Sequence, residues 1–308
     1  MEINIKNKQV DVCIMLSAFN GEEYILEQLE SINNQRNVSV ICYIRDDGSN
    51  DNTKDIIKGY VYQHSNFKLI EGNNIGVNRS FAELLSIVPN DYEFYAFSDQ
   101  DDIWLPNKLN QAIEKLSHIE KGIPALYCSN LTALFKNGKK IDVWRSMKLM
   151  GKKSLLIQNC AWGCTEVFNN SAKNLCLTYP WKISSMHDYW LHLLCAYFGS
   201  VVYDVESSII YRQHETNVVG IRRNSYEHIR NYIKRFNIKG EHPRQEDAKY
   251  LLSICNDLSL EEISDINKIA HYNDSLLKKI KLLFDFKIHM TSILGDVAYR
   301  IRIIRGVV

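Results

Sequence analysis

The fold is decided by a stretch of ten residues, Tyr95-Ala96-Phe97-Ser98-Asp99-Gln100-Asp101-Asp102-Ile103-Trp104. Its first three residues are apolar and suit the end of a buried strand, and three carboxylates follow within residues 99–102. Pro106 then stands where a first helical turn would begin, and apolar residues recur at helical spacing over 108–116. The stretch therefore predicts a strand, an acidic turn and a helix. In an α/β sheet, such a turn lies where ligands bind.

Two interpretations of the acidic turn are open from the residues alone. Clustered carboxylates repel one another unless a cation or a proton intervenes, and oxygen ligands of this kind suit Mg²⁺ or Mn²⁺ shared with substrate phosphates. Alternatively, Asp99 caps a turn and its acidic neighbours are solvated, because turns are rich in Asp. The position after a buried strand favours the metal site.

Three more strands precede this stretch, each followed by a turn and a helical pattern. They are predicted at Val10–Leu16, Val38–Ile44 and Phe67–Ile70. Asn20 is expected to cap the first helix and Asp51 the second. Alternating strands and helices at this spacing predict an α/β fold, with a Rossmann-like, mostly parallel sheet flanked by helices on both faces.

The carboxyl ends of parallel strands meet at one edge of the sheet, so the polar residues after the four strands should converge there. They are Asn20, Asp46, Asp47, Asn73, Gly76, Asp99 and Asp101. This set predicts a site for a polar ligand that carries phosphate. Neither a dinucleotide fingerprint nor a P-loop occurs at a strand end, so a metal on the carboxylates is the expected phosphate partner.

The middle of the chain offers weaker signals. Residues 161–165, Ala-Trp-Gly-Cys-Thr, predict a tight turn entering a strand. A helix is predicted to open at Met186–Trp190, and Asp188 in its first turn is either a favourable N-terminal charge or a functional group. His214 ends a predicted strand, and a lone histidine is more often structural than a metal ligand.

Composition narrows the class of protein. The chain has 308 residues, 45% of them hydrophobic, and a net charge of +1, which does not favour nucleic acid as a partner. The eight cysteines lack the spacing of a zinc site or of a disulfide framework, so reduced thiols in a cytoplasmic protein are expected. We expect no signal peptide and no spanning helix.

From about residue 224 helical patterns dominate. They cover Tyr226–Phe236, Pro243–Cys255, Leu260–Ala270 and Leu276–Leu294. The last of them begins a segment rich in lysine and arginine, which suits either a helix lying on an anionic membrane or a packed helix with its charges in water. We expect residues 1–223 to form a catalytic domain with halves at about 1–122 and 123–223, and 224–308 a helical C-terminal region.

The sequence resembles bacterial glycosyltransferases of family 2 with the GT-A fold. Within that family it is similar to rhamnosyltransferases that build cell-surface polysaccharides. The resemblance rests on six motifs, which are Ser17–Gly21, Asp46–Asp51, Asn74–Val77, Ser98–Trp104, His187-Asp188 and Tyr211–His214. It spans residues 10–220 and departs from the family mainly at Ala18-Phe19, where Tyr or Pro is more common. The region after residue 224 carries no matching motif.

The resemblance implies a role for each matching residue. Asp188 would be the general base, and Asp101, Asp99 and His214 would hold the metal, Mn²⁺ or Mg²⁺. Trp162, Gly163 and His187 would lie near the acceptor. The remaining residues would contact the nucleotide sugar, and they are Ala18, Asn20, Asp46, Asp47, Asn73, Gly76, Arg79, Asp99 and Gln100.

The implied reaction is a metal-dependent transfer with inversion. The donor would be a nucleotide-diphosphate sugar, dTDP-L-rhamnose, and the acceptor a lipid-linked saccharide of O-antigen, capsule or cell-wall polysaccharide synthesis. The acceptor would place the enzyme peripherally on the cytoplasmic face of the inner membrane. A UDP-hexose or UDP-N-acetylhexosamine donor is the first alternative. A sugar nucleotidyltransferase and a non-catalytic scaffold are the others, and the oligomeric state is left open.

Overall fold

A computed structural model describes residues 10–143, 151–181, 186–213, 243–255 and 257–308. Two predictions, the helix at Tyr226–Phe236 and the metal ligand His214, lie outside these described residues.

The described residues form one sheet of nine strands. They are β1 Val10–Ala18, β2 Val38–Asp46, β3 Phe67–Glu71, β4 Phe94–Ser98, β5 Ile103–Trp104, β6 Ala125–Phe135, β7 Lys140–Asp142, β8 Val167–Asn169 and β9 Ser200–Gln213. The order is β3-β2-β1-β4-β8-β6-β9-β5, with β7 paired to β6. The fold is α/β, as predicted.

The first four strands are parallel, which confirms the predicted convergence of their ends. Ala18 pairs with Asp46, Leu16 with Ser98, and Asp46 with Glu71. Beyond β4 the sheet is mixed, because β8 runs antiparallel to β4 and β6, and β5 runs antiparallel to β9. The loops that follow the parallel strands β1–β4 therefore lie along one edge of the sheet, and the mixed strands extend the sheet beyond β4.

The helices of the described residues are α1 Ile25–Asn33, α2 Thr53–Gln63, α3 Val77–Ile87, α4 Lys108–Leu116, α5 Lys152–Leu155, α6 Asn170–Thr178, α7 His187–Phe198, α8 Pro243–Ile254, α9 Leu260–Ala270, α10 Leu276–Leu283 and α11 Ile293–Arg305. None of them is both long enough and apolar enough to cross a membrane.

Helices cover both faces of the sheet, and β1 shows how. Its side chains alternate, so that Cys13 and Met15 pack in a core with α3 and α7, while Ile14 and Leu16 pack in a second core with α1 and α4. The C-terminal helices join the first core, where the Tyr250 ring of α8 stacks on Trp190 of α7 at 5.0 Å between centroids.

Two helix caps differ from the prediction. Helix α1 begins at Ile25 with Tyr24 at the cap position, so the expectation that Asn20 caps it is wrong. Asn20 instead has a left-handed backbone (φ 49°), and its side chain turns to the neighbouring loop. Asp51 lies one residue before the cap position of α2, Asn52, but its carboxylate still accepts the Thr53 amide at 3.1 Å.

The predicted helix over 276–294 is wrong in length, because the segment holds two helices. Helix α10 ends before Phe284, and α11 begins after Ser292, whose hydroxyl accepts the Gly295 amide at 3.0 Å. The helical spacing of apolar residues continues through residues 284–292, although the structure forms a turn there between the two helices. All eight cysteines are free thiols, as expected.

Candidate active site

The loops after β1 and β2 are tied together by hydrogen bonds. The Asp47 amide donates to the Ala18 carbonyl at 2.7 Å. The Asn20 amide donates to the Ser49 hydroxyl at 3.0 Å, and the Asn20 side chain accepts the Asn50 amide at 2.8 Å. The left-handed backbone of Asn20 makes this double contact possible, since asparagine adopts it more readily than most residues. The predicted neighbours Ala18, Asn20 and Asp47 are therefore brought together.

Asp46 and Asp47 lie side by side but have different surroundings. Both are almost fully buried. The Asp47 carboxylate accepts the amides of Ile75 and Gly76, each at 2.9 Å, and forms an ion pair with Arg45. Asp46 accepts the Ser49 amide through Oδ2, whereas its buried Oδ1 has no hydrogen-bond partner among the described residues. Asp47 thus binds the loop after β3, and Asp46 keeps one oxygen for a ligand.

The loop after β3 brings three predicted residues beside Asp47. Gly76 has a left-handed backbone (φ 83°) and precedes α3. The Asn73 carbonyl accepts from the Arg45 guanidinium at 3.3 Å, and its side chain is exposed. Arg79, in the first turn of α3, is exposed to solvent. The loop offers an exposed amide and a cation at the same edge as Asp46.

Gln100, predicted to contact the donor, binds the backbone of the loop after β1. Its amide oxygen accepts the Phe19 amide at 2.8 Å, and its amide nitrogen donates to the Phe19 carbonyl at 2.9 Å. A side chain at position 21 would collide with it, because a Cβ on Gly21 would lie 2.3 Å from the Gln100 amide oxygen. The acidic turn and the first loop are therefore locked to each other.

The acidic turn contains a group of three ligand-type side chains. Oxygen or sulfur atoms of Asp99, Asp102 and Cys164 all lie within 4.8 Å of one another. Asp102 and Cys164 are fully buried, whereas Asp99 is half-buried and faces the edge of the sheet. A protonated thiol is a poor ligand for Mg²⁺. Asp102 and Cys164 therefore support the turn from below, and the predicted pair Asp99 and Asp101 is the part of it that a ligand reaches.

Burial and neighbouring charges raise the pKa values of two carboxyls of this turn, Asp99 and Asp102. Burial, and then the charges of Asp101 and Asp188, raise the pKa of Asp99 to about 7. Burial, and then Asp101 and Asp99, raise the pKa of Asp102 well above its ordinary value. A divalent cation beside Asp99 and Asp101 would offset this repulsion.

Asp188, in the first turn of α7, lies across from the acidic turn, close enough for its charge to raise the pKa of Asp99. Its carboxylate is half-buried and accepts the Asn159 amide group at 3.0 Å. The Asn159 side chain is itself held, because its oxygen accepts the Ala161 amide at 3.1 Å. Asn159 therefore fixes the orientation of the predicted base.

The predicted acceptor residues surround Asp188. A Cβ on Gly163 would lie 3.0 Å from the Cβ of Asp188 and 3.3 Å from Nε2 of His187. The His187 ring stacks on Phe81 at 3.9 Å, and burial lowers its pKa to about 4, so it is neutral at pH 7. Trp162 is half-buried against the Tyr211 ring. The structure thus brings Trp162, Gly163 and His187 together at Asp188.

Sequence reasoning missed three residues of the site. Arg45, in strand β2, has no role in the sequence analysis, yet it is buried and pairs with Asp47. Asn159 stands outside every motif. Asp102 was counted with the acidic turn but given no role. Of the three, only Asp102 has a sequence signal for burial, because the apolar residues Ile103 and Trp104 follow it directly.

Comparisons with known proteins identify the class. Residues 13–161 match the model of the family described as Glycosyl transferase family 2. The structure of S. aureus TarS 1-349 in complex with UDP-GlcNAc superposes with a TM-score of 0.57 at 18% identity, covering 90% of this chain and 77% of that one. Over residues 13–161 the chain has the sequence pattern of family 2 glycosyltransferases, and together these similarities support a glycosyltransferase with the GT-A fold.

Two relatives carry more specific names. The chain is 29% identical over 225 residues to the dTDP-rhamnosyl transferase RfbG of Shigella flexneri, covering 67% of this chain and 73% of the relative. It is 26% identical over 183 residues to the UDP-Glc:alpha-D-GlcNAc-diphosphoundecaprenol beta-1,3-glucosyltransferase WfgD of Escherichia coli, covering 59% and 69%.

Proposed function

We propose that this glycosyltransferase moves L-rhamnose from dTDP-L-rhamnose to a lipid-linked saccharide, with inversion at the anomeric carbon. The similarity to the dTDP-rhamnosyl transferase RfbG over two-thirds of the chain supports the donor. The side chains at the site support inversion. The base Asp188 faces the acidic turn, and a direct displacement needs a base on one side of the sugar and a neutralised diphosphate on the other.

The observation that carries the proposal is the position of Asp188 relative to Asp99. The two carboxyls belong to different elements, α7 and the β4–β5 turn, and interact across the edge of the sheet. Asp188 would accept the proton of the acceptor hydroxyl as that oxygen attacks the anomeric carbon. Asn159 would keep the carboxylate turned toward this proton, and Gly163 would leave room for the acceptor.

On the donor side, Asp46 is our choice for the direct contact with the nucleotide. Its buried Oδ1 lacks a protein partner, whereas a base or ribose can donate a hydrogen bond to it. Asp47 and Gln100 have their hydrogen-bonding groups occupied by backbone amides and carbonyls. We therefore propose that these two residues act by holding the loops that contain Asn20, Asn73 and Gly76.

A divalent cation, Mn²⁺ or Mg²⁺, fits the acidic turn. Asp99 and Asp101 would hold it, and His214, outside the described residues, would join them. The raised pKa of Asp99 supports this assignment, because burial and then the negative charges of Asp101 and Asp188 raise it, and a cation would offset those charges. Such an ion, when bound, neutralises the charge that develops on the leaving diphosphate.

The second candidate is a UDP-hexose or UDP-N-acetylhexosamine donor. The similarity to WfgD, which is named for a UDP-glucose donor and a diphosphoundecaprenol-linked acceptor, favours it. The same relative supports a lipid-linked acceptor. That acceptor would place the enzyme at the cytoplasmic face of the membrane, with residues 1–223 as the catalytic domain.

Calorimetric titration tests the donor. The panel is dTDP-rhamnose, UDP-glucose, UDP-N-acetylglucosamine, GDP-mannose and a nucleoside triphosphate, each with and without Mn²⁺. Metal-dependent binding of dTDP-rhamnose above the others is the expected result. Tighter binding of a UDP sugar would show that the donor is that sugar instead of dTDP-rhamnose. Binding of the triphosphate alone would contradict the proposal that the protein transfers sugar from a nucleotide sugar.

A further inference from the structure

Exposed apolar side chains are concentrated at the C-terminus. Of the 18 large hydrophobic residues that are exposed in the described part of the chain, ten lie between 276 and 304. Leu276 and Leu277 are 73% and 72% exposed, and Phe284 and Phe286 just beyond α10 are 65% and 71% exposed. Exposed apolar side chains concentrated in one segment are typical of an interaction surface.

Helix α11 is apolar on two faces. One face packs inward through Ala298, Tyr299 and Ile303, which are at most 5% exposed. The other face carries Val297, Ile301 and Ile304 at helical spacing, and these are 52%, 41% and 59% exposed. A helix that merely packs on a domain in water would place polar residues there.

A rigid contact holds this surface in shape. The Arg300 guanidinium donates to the carbonyls of Leu282, Leu283, Asp285 and Ile288 at 2.9–3.2 Å. These bonds join the end of α10 and the turn that follows it to α11. Phe284 and Phe286 are therefore held outward by a built turn.

Cations surround the apolar side chains. Lys279, Lys281, Lys287 and Arg305 are at least partly exposed, and among the described residues none has a carboxylate within ion-pair distance. Lys278, by contrast, pairs with Asp274 at 2.9 Å. Apolar groups flanked by unpaired cations match the chemistry of an anionic bilayer, with hydrocarbon below a layer of negative headgroups.

The surface is connected to the acceptor side of the site. The Thr291 amide, just before α11, donates to the Gln158 side chain at 3.0 Å, and the Gln158 amide group donates to the Thr291 hydroxyl at 2.9 Å. The next residue along the chain is Asn159, which holds Asp188. Docking at the C-terminus would therefore set the acceptor side at a fixed place relative to the bilayer.

We propose that α10, the turn 284–287 and the outer face of α11 form a lipid-facing surface that lies on an anionic phospholipid bilayer. Phe284 and Phe286 enter the interface, and Lys279, Lys281, Lys287 and Arg305 contact the headgroups. The purpose of this surface, delivery of a lipid-linked acceptor to Asp188, rests on the proposed function. The surface itself does not depend on which sugar is transferred.

Vesicle co-sedimentation of the full chain tests the surface without donor or acceptor. The probes are vesicles of phosphatidylcholine alone and of phosphatidylcholine with one-third phosphatidylglycerol. We expect binding to the anionic vesicles that weakens with salt. The double variant Phe284→Ser/Phe286→Ser should bind about 100-fold more weakly, since each ring contributes about tenfold. The variant Lys279→Glu/Lys281→Glu should lose the preference for anionic vesicles.

The matched control is Tyr62→Ser/Val205→Ser, which removes two side chains that are 92% and 76% exposed elsewhere. It should bind like the unaltered chain. Equal binding by the phenylalanine variant and this control would overturn the proposal. So would a dimer in sedimentation velocity that the phenylalanine variant dissociates, because the surface would then bind a second copy. Donor titration of the same variants separates these outcomes from a failure of the proposed function.

Discussion

Replacing Glu166 by glutamine should stabilise the protein, and by more as the pH rises. Glu166 is fully buried, and within the part of the chain that the structure describes neither of its carboxylate oxygens has a hydrogen-bond partner. Burial, and then the charge of Asp188, raise its pKa well above the ordinary value, while Lys108 lowers it. The Lys108 ammonium is engaged elsewhere, since it donates to the Thr165 carbonyl at 3.2 Å and lies over the Trp104 ring.

The magnitude follows from proton counts. The folded chain keeps the Glu166 proton at pH values where the unfolded chain, with an ordinary pKa of about 4.3, has released it. This group's contribution is therefore most favourable below about pH 4.3. It falls by about 1.4 kcal/mol per pH unit above that, until the folded pKa is passed. Glutamine removes this titration.

Urea unfolding at pH 5, 6, 7 and 8 measures the effect. The quantity compared is the difference in unfolding free energy between Glu166→Gln and the unaltered chain. The pH-dependent contributions of the other titrating groups are common to both proteins and cancel in this difference. It should grow with pH, by at most about 1.4 kcal/mol per pH unit, until the folded pKa of Glu166 is passed. The control Glu120→Gln, at an exposed residue, should show a constant difference. A constant difference for Glu166→Gln as well would refute the reasoning. Glu166→Met should add about 1–3 kcal/mol, because it also removes the unpartnered polar atoms.

Three other variants test the site. Asn159→Ala removes the hydrogen bond to Asp188 and should lower kcat about 10- to 100-fold with donor affinity unchanged, as checked by steady-state kinetics and calorimetry. An equal loss of donor affinity would mean that Asn159 supports the fold. Gly163→Ala should lower kcat at least tenfold, because its Cβ would press on Asp188. Gly151→Ala, where a Cβ meets open space, is the matched control. Asp101→Ala should weaken Mn²⁺-dependent donor binding at least tenfold and leave metal-free binding unchanged. Titrations with and without EDTA decide this, and unchanged binding with Mn²⁺ would remove Asp101 from the metal site.

The parallel half of the fold was predictable because each strand there is a short, buried apolar run followed by a helix at ordinary spacing. The mixed half of the sheet was harder to predict from the sequence. Strand β8 has only three residues, and its place between β4 and β6 depends on pairing with β4 across more than 70 residues of sequence and with β6 across at least 40. Local periodicity carries no record of such pairing. The same limit explains the single helix predicted over 276–294, because apolar spacing persists through the turn that Arg300 closes.

Motif residues could be placed at one edge of the sheet, but their partners could not. The sequence puts Asp46 and Asp47 side by side, and only the structure separates them. Asp47 turns inward to Arg45 and the Ile75 amide, while Asp46 keeps an oxygen without a partner. Side chains within a strand alternate between the two faces of the sheet, which makes their direction predictable. Beyond the end of the strand this alternation stops. Which acid faces a ligand therefore depends on the loop that reaches it.

Asp188, the proposed base, should reduce stability. Asp188 is a part-buried charge that raises the pKa values of both Asp99 and Glu166, so the folded chain gathers acids that the unfolded chain separates. Asp188→Asn removes that charge and keeps the shape of the side chain. We expect it to abolish transfer and to raise the urea midpoint at pH 7, with a smaller gain when Glu166 is already glutamine. A lower midpoint would show that the Asn159 hydrogen bond outweighs the repulsion. In that case, Asp188 would not lower the free energy of unfolding.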